Sequence, residues 1–114
     1  LRVTYKRVAV LLTADVGDQA EQEMLKSGQN VRAQVLQVGH HGSRRATSSP
    51  WLAAVRPHIA VISCARRSRY HFPSRTVTNR LRGFGARTYT TGQCGAVTVT
   101  TDGETIRVNS VREQ

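Results

Sequence analysis

The apolar positions fall into strand-sized runs that alternate with stretches of helical character. Residues 7–15, RVAVLLTAD, form a continuous apolar run that stops at a carboxylate, as expected of a buried strand. Residues 18–26, DQAEQEMLK, follow another pattern: acids lie early, Lys26 lies late, and Gly28 can serve as a C-cap. That predicts a short helix. A second strand is predicted over residues 33–39, AQVLQVG, which run straight into His40, His41, Gly42 and Ser43. The stretch 48–55 reads as a helix start, with Ser49 as N-cap, Pro50 at the first helical position and Pro57 beyond its end. Residues 58–65, HIAVISCA, make a third strand, followed by a basic loop and a helix from about Arg75 to Arg82, stopped by Gly83 and Gly85. The remainder reads as three short β segments, ARTYTT, AVTVTT and TIRVNSV, separated by the turn-forming sequences GQCG and DGE. The order β-α-β-α-β-α-β-β-β places the chain in the α/β class, with a sheet covered by helices.

Length and composition sharpen this. The 114 residues suit one compact domain or a piece of one. Hydrophobic residues make up 39% and aromatic residues 5%, little for a chain that must close its own core, and a fragment would leave apolar surface uncovered. Seventeen basic residues against seven acidic ones give a net charge of +10, and all the basic residues except Lys6 and Lys26 are arginines. The guanidinium fork matches phosphate oxygens, which makes nucleic acid a natural partner. An arginine-rich composition also follows from a high-GC genome, and the excess alone does not choose.

No run approaches the ~20 apolar residues of a membrane helix, and the N-terminal LRVTYKRVAVLLT lacks the core and cleavage motif of a signal peptide. The segment is therefore expected to be soluble, and its start at Leu1 suggests an excised or truncated piece. Cys64 and Cys94 are too few for a disulfide framework and too far apart for a zinc knuckle. They read as two packed thiols, or as one disulfide in an oxidising compartment.

Candidate chemistry lies at the strand ends. Asp15 ends one buried strand and the His40–His41 pair ends the next, where α/β proteins place their ligands. Carboxylate and imidazole together suit zinc, manganese or iron. The same residues also fit a helix cap at Asp15 and a polar loop at the histidines, and spacing alone leaves both open.

The pair VLLTAD and VLQVGHHGS resembles the metallo-β-lactamase superfamily, in which a strand ending in a bridging Asp precedes one ending in the last metal-binding His. The longer run AQVLQVGHHGSRRATSSPWLAAVRPHIAVISC, the SRYHFPS loop and GARTYTTGQCGAVTVTTDG are closer still to the extracytoplasmic nuclease-like domain of the ComEC competence-channel family. The resemblance runs from about Val8 to Gly103. It implies the C-terminal half of a metallo-β-lactamase-like αββα sandwich, so that residues 1–114 are a partial domain. It also implies divalent metal ions, zinc or manganese, with Asp15 bridging two of them and His40 ligating the second. Two such ions clamp the attacking and leaving oxygens of a phosphodiester.

Under that resemblance His41 is a proton donor or a supporting group, with loop-holding as its alternative, and Ser43 can donate to a phosphate oxygen. The SRYHFPS loop departs from the family pattern: Ser68 stands where relatives carry Asn, and His71 is displaced by one position. His71 either serves the site or is an exposed turn residue. Tyr70 either stacks on a base or packs under its loop, and the same choice holds for Phe72. The superfamily's His-x-His-x-Asp-His cluster is absent; the four histidines are His40, His41, His58 and His71. The metal site in this chain is therefore expected to be incomplete, and the fragment alone a poor catalyst. Arg44, Arg45, Arg66, Arg67 and Arg69 border the same rim and make a track for a DNA backbone. Arg75, Arg80, Arg82, Arg87, Arg107 and Arg112 look like solvated faces.

The expected function is thus part of a metal-dependent nuclease acting on DNA, single-stranded or the strand that is not imported. The expected partners are DNA, the missing N-terminal half-domain and a membrane channel, with no small-molecule cofactor. The parent would sit in the cytoplasmic membrane with this domain on the outer side. The alternatives are a hydrolase of a small ester or phosphoester on the same fold, and a basic DNA-binding module without catalysis.

Overall fold

A computed structural model describes residues 1–67 and 69–113; Ser68, where the loop departs from the family pattern, lies outside the described residues. Five strands form the main sheet in the order β1 (Arg2–Tyr5), β2 (Val8–Leu12), β3 (Val35–Gln37), β4 (Ile59–Ile62) and β5 (Arg87–Thr90). β1 pairs antiparallel with β2, and β2 to β5 run parallel. The crossovers carry α1 (Asp18–Lys26), α2 (Ser49–Val55) and α3 (Arg75–Gly83). Because each strand sits beside its predecessor and crossovers take one hand, all three helices fall on one face.

Side-chain alternation then divides the sheet. Ala9, Leu11, Leu36, Ala60 and Ile62 point towards the helices and form the core with Trp51, Leu52 and Val55 of α2 and Val77 and Leu81 of α3. Trp51 is 1% exposed, and its removal would cost about 3–5 kcal/mol. The other face carries Val8 and Val35, both buried but outside that cluster. A hairpin of β6 (Val97–Thr101) and β7 (Ile106–Ser110) is tethered at two edges of the sheet. Arg7 N donates to Gly103 O at the β1–β2 turn, and Val108 and Ser110 share a recess with residues of β5. Both hairpin strands alternate half-buried and exposed residues, as a strand with one covered face should. The cover stops short of the β1 side: Leu1, Val3, Tyr5 and Leu12 are exposed there.

All nine expected elements are present, and the α/β class holds. Three further elements are present, the turn Gly39–Gly42, a first strand and a short helix, and one boundary differs. β1 is short and mostly exposed, and its RVTY sequence carries too little apolar signal to announce a strand. The GQCG stretch, expected as a turn, falls within the short helix α4 (Thr91–Cys94) and its cap, and a Cβ at Gly92 would lie 2.5 Å from Arg66 N. The N-cap of α2 is Ser48, not Ser49: its Oγ accepts from Trp51 N at 3.3 Å, which moves Pro50 one place further into the helix. Both cysteines are free thiols. No helix among the described residues is long and apolar enough to cross a membrane.

Candidate active site

β2, β3 and β4 point the same way, so the loops after them meet at one edge of the sheet. The chain fixes this meeting with backbone and side-chain bonds. Gln37 Oε1 at the end of β3 accepts from Thr13 N and Ala14 N, both at 2.9 Å, and Thr13 Oγ1 donates to Gln37 O at 2.6 Å. His40 N donates to Ala14 O at 2.8 Å. Gly39 is required by the closeness of this approach, since a Cβ there would lie 2.6 Å from Val16 O.

Four non-glycine residues around this edge adopt positive φ: Ala14, His40, His41 and His71. The two consecutive histidines, both left-handed (φ 53° and 55°), form the turn Gly39–Gly42. Left-handed non-glycine residues cost about 1–3 kcal/mol each and cluster where function holds them in place.

The loops enclose a cleft of about 520 Å³ lined by Asp15, His40, His41, Cys64, Tyr70 and Phe72. His41 Nδ1 lies 2.8 Å from Ser63 O. A carbonyl only accepts, so Nδ1 carries the proton and donates, leaving Nε2 to face outward. His41 Nε2 is 3.7 Å from Asp15 Oδ1, with the carboxylate side chain 80% exposed. At that exposure the pair contributes little to stability, so its interest lies in position. His40 Nδ1 is buried and has no hydrogen-bond partner, an orphaned ligand-type atom of the kind that calls for explanation. The rings of His41 and Tyr70 both stack on Phe72, at 6.3 and 5.6 Å between centroids. Burial pushes the Cys64 thiol above its ordinary pKa, only partly offset by a hydrogen bond with the Gly92 backbone.

A second recess of about 600 Å³ shares Tyr70 and Phe72 with the cleft and is lined beyond them by Ser43, Arg44, Arg45, His71 and Arg75. Ser43 is buried, and its Oγ accepts from Arg45 N at 3.2 Å, holding the arginine turn. Gly42 O accepts from Ser74 N at 2.9 Å and binds this loop to the start of α3.

The structure therefore brings Asp15, His40 and His41 into one cleft, and Ser43, Arg44, Arg45 and His71 into the neighbouring recess; Tyr70 serves both. Arg66, Arg67 and Arg69 are exposed and line neither. The sequence reading took Cys64 as a packed or disulfide-bonded thiol and not as a cleft residue, although it follows β4 as Asp15 follows β2. Arg75 is exposed, as the sequence reading of a solvated face expects, and also lines the second recess. Arg80, assigned to a solvated face as well, is half-buried, with Nη1 donating to Thr47 O at 2.8 Å. Among the described residues no three His, Cys, Asp or Glu side chains come together closely enough to hold a metal ion. Asp15 and His40, with its unpartnered Nδ1, fit part of a metal site, not a whole one.

The fold and the site together define an α/β module with a polar crevice at the carboxyl ends of its parallel strands and a cationic recess beside it. Over most of its length the chain is homologous to a segment of competence proteins. It is 36% identical over 87 residues to ComE operon protein 3 of Bacillus subtilis (strain 168), a match covering 76% of this chain and 11% of that protein. It is 38% identical over 98 residues to Competence protein ComA of Neisseria gonorrhoeae, covering 85% and 14%. It is 38% identical over 91 residues to Recombination protein 2 of Haemophilus influenzae, covering 80% and 11%. The matched segments thus make up 11–14% of the length of these relatives. No family model and no solved structure matches the chain.

Proposed function

We propose that the chain is part of a DNA-handling phosphodiesterase domain that works during competence, built as the C-terminal half of a metallo-β-lactamase-like domain. The observation that carries this reading is the convergence of Asp15, His40 and His41 from adjacent parallel strands into one cleft, with arginines next to it. The competence proteins to which the chain is homologous supply the context. The remaining half of the domain would cover the exposed Leu1, Val3, Tyr5 and Leu12, and would bring the ligands that Asp15 and His40 lack. The parent would be a membrane protein with this domain on the outer side of the cytoplasmic membrane.

In this reading Asp15 and His40 are ligands of a divalent zinc or manganese ion, which would supply Lewis acidity when bound. Hydrolysis adds a water oxygen to phosphorus and breaks one P–O bond, and the leaving oxygen takes a proton. His41 is positioned for that transfer, because Ser63 O fixes Nδ1 as a donor and leaves Nε2 free to hold or release a proton. Arg44 and Arg45 grip the phosphates flanking the scissile one, and Tyr70 stacks on a base. Ser43 and His71 border the phosphates, and Arg66, Arg67 and Arg69 attract the strand at longer range.

A second reading, a DNA-binding module without catalysis, draws on the lack of a three-ligand cluster among the described residues. One experiment separates the two: the chain joined to its complementary half, zinc or manganese, and labelled single-stranded DNA. Cleavage abolished by both Asp15→Ala and His40→Ala supports the enzyme. Binding without cleavage, indifferent to either substitution, refutes it and leaves the binding module.

A further inference from the structure

The arginine recess does not end at Arg75. A third recess, about 470 Å³, shares Pro73 and Arg75 with the second and continues past Thr78, Arg82 and Arg87. Cleft, second recess and third recess therefore form a chain in which each shares lining residues with the next. Among the described residues no carboxylate lines the second or the third. Helical geometry explains the alignment. Arg75 and Arg82 are seven residues apart on α3, two turns and nearly the same stripe, separated by about 10 Å along the axis. Arg80 lies off that stripe and is tied to Thr47 O. Arg87, on the edge strand β5, lies with its guanidinium carbon 5.5 Å from the centre of the Tyr89 ring and borders both the third recess and the hairpin-side recess that holds Glu113, so it marks the far end of the row.

We propose that a single DNA strand leaves the cleft over α3 to the β5 edge, its phosphates held successively by Arg44, Arg45, Arg75, Arg82 and Arg87. The inference rests on the reading of the cleft as a DNA site and adds a path to it. A row of arginines along two recesses with no acid among their described lining residues suits a polyanion, and a small phosphoester would need only the first recess. The exposed, stacked Tyr70 at the entry selects a strand with unpaired bases, because a duplex offers no free base face. Arg66, Arg67 and Arg69 line none of the three recesses, and the path uses three arginines that the sequence placed on solvated faces.

The test compares two triple variants of the full chain that lose the same charge. One is Arg75→Ala/Arg82→Ala/Arg87→Ala; the other, Lys26→Ala/Arg32→Ala/Arg107→Ala, removes exposed cations elsewhere. Each is titrated with labelled oligothymidylates of about 4 and about 20 nucleotides, bracketing the site sizes of single-strand modules. The groove variant is expected to lose at least tenfold in affinity for the long strand and little for the short one. Its slope of log K against log salt should fall by about 2, three contacts at about 0.7 each. The control variant should keep the affinity for both. Equal losses in the two variants overturn the path and leave a diffuse charge effect, with the cleft reading intact. An unsubstituted chain that binds neither oligonucleotide overturns the path and the cleft reading together.

Discussion

Replacing Glu21 by alanine tests how the helix layer is held. Glu21 sits on α1, is 1% exposed, and its carboxylate accepts from Thr47 N at 2.5 Å and Ser48 N at 3.1 Å. These two amides open α2, whose first turn carries the core residue Trp51. Alanine leaves the buried Thr47 N–H and the half-buried Ser48 N–H without acceptors, at about 1–3 kcal/mol each. Relief of the carboxylate's own burial offsets part of this, so the net loss is about 2–4 kcal/mol. Against a domain stability of about 5–15 kcal/mol, that should lower Tm by roughly 10–15 °C.

Glu21→Gln keeps one acceptor oxygen but sets an NH2 against the other amide, and should fall between wild type and alanine. Burial is also the main influence that raises the Glu21 pKa above its ordinary 4.5, outweighing the two amide hydrogen bonds. The folded chain then holds a proton, in a window opening at 4.5, that the unfolded chain has released. Stability from this group is highest below the window, declines as pH rises through it, and is flat above. The slope should vanish in Glu21→Gln. Thermal melts followed by circular dichroism, repeated across pH, read both effects. A Glu21→Ala variant melting within about 2 °C of wild type would refute the account of α1 as the anchor of α2.

Two other substitutions or treatments probe the cleft. Gly39→Ala should drive the β2 and β3 loops apart, because its Cβ would meet Val16 O at 2.6 Å; a loss of about 1–3 kcal/mol in urea unfolding is expected, together with lost DNA cleavage in the completed domain. Cys64, with its thiol pKa raised by burial, should react with iodoacetamide at neutral pH more slowly than a free cysteine, and mass spectrometry of the labelled peptide gives the rate. Labelling at the rate of the free amino acid would contradict the placement of Cys64 against the cleft wall.

The fold was legible where periodicity and burial coincide. The apolar runs at Val8–Leu12, Val35–Gln37 and Ile59–Ile62 are parallel strands with a covered face, so apolar character alone marked them. β1 escaped because an edge strand needs no apolar stripe, and α4 because four residues with a glycine set close against the Ala65–Arg66 backbone look locally like a turn. Of the site, Asp15, His40 and His41 could be singled out because position at a strand end is itself a spatial statement in a parallel sheet. Arg75 could not, since its meeting with Arg44 and Arg45 depends on Gly42 O seating the first turn of α3. His71 and Phe72 show the same limit at the scale of one residue. The left-handed φ of His71 accompanies a histidine in the arginine recess, while Phe72 lines both recess and cleft.

The strand order β1 to β5 has a consequence for how the chain reaches this state. No strand has to be threaded between two that have already paired; each is laid beside the last as it becomes available. The sheet can therefore grow in the direction of synthesis, with α1, α2 and α3 closing over it one by one. The crevice matures in the same sequence. Asp15 waits for the histidine turn, the histidines wait for Ser63, and the arginine recess is finished only when α3 docks. A ribosome releasing this polypeptide would thus complete its ligand-binding edge before the hairpin arrives on the opposite face.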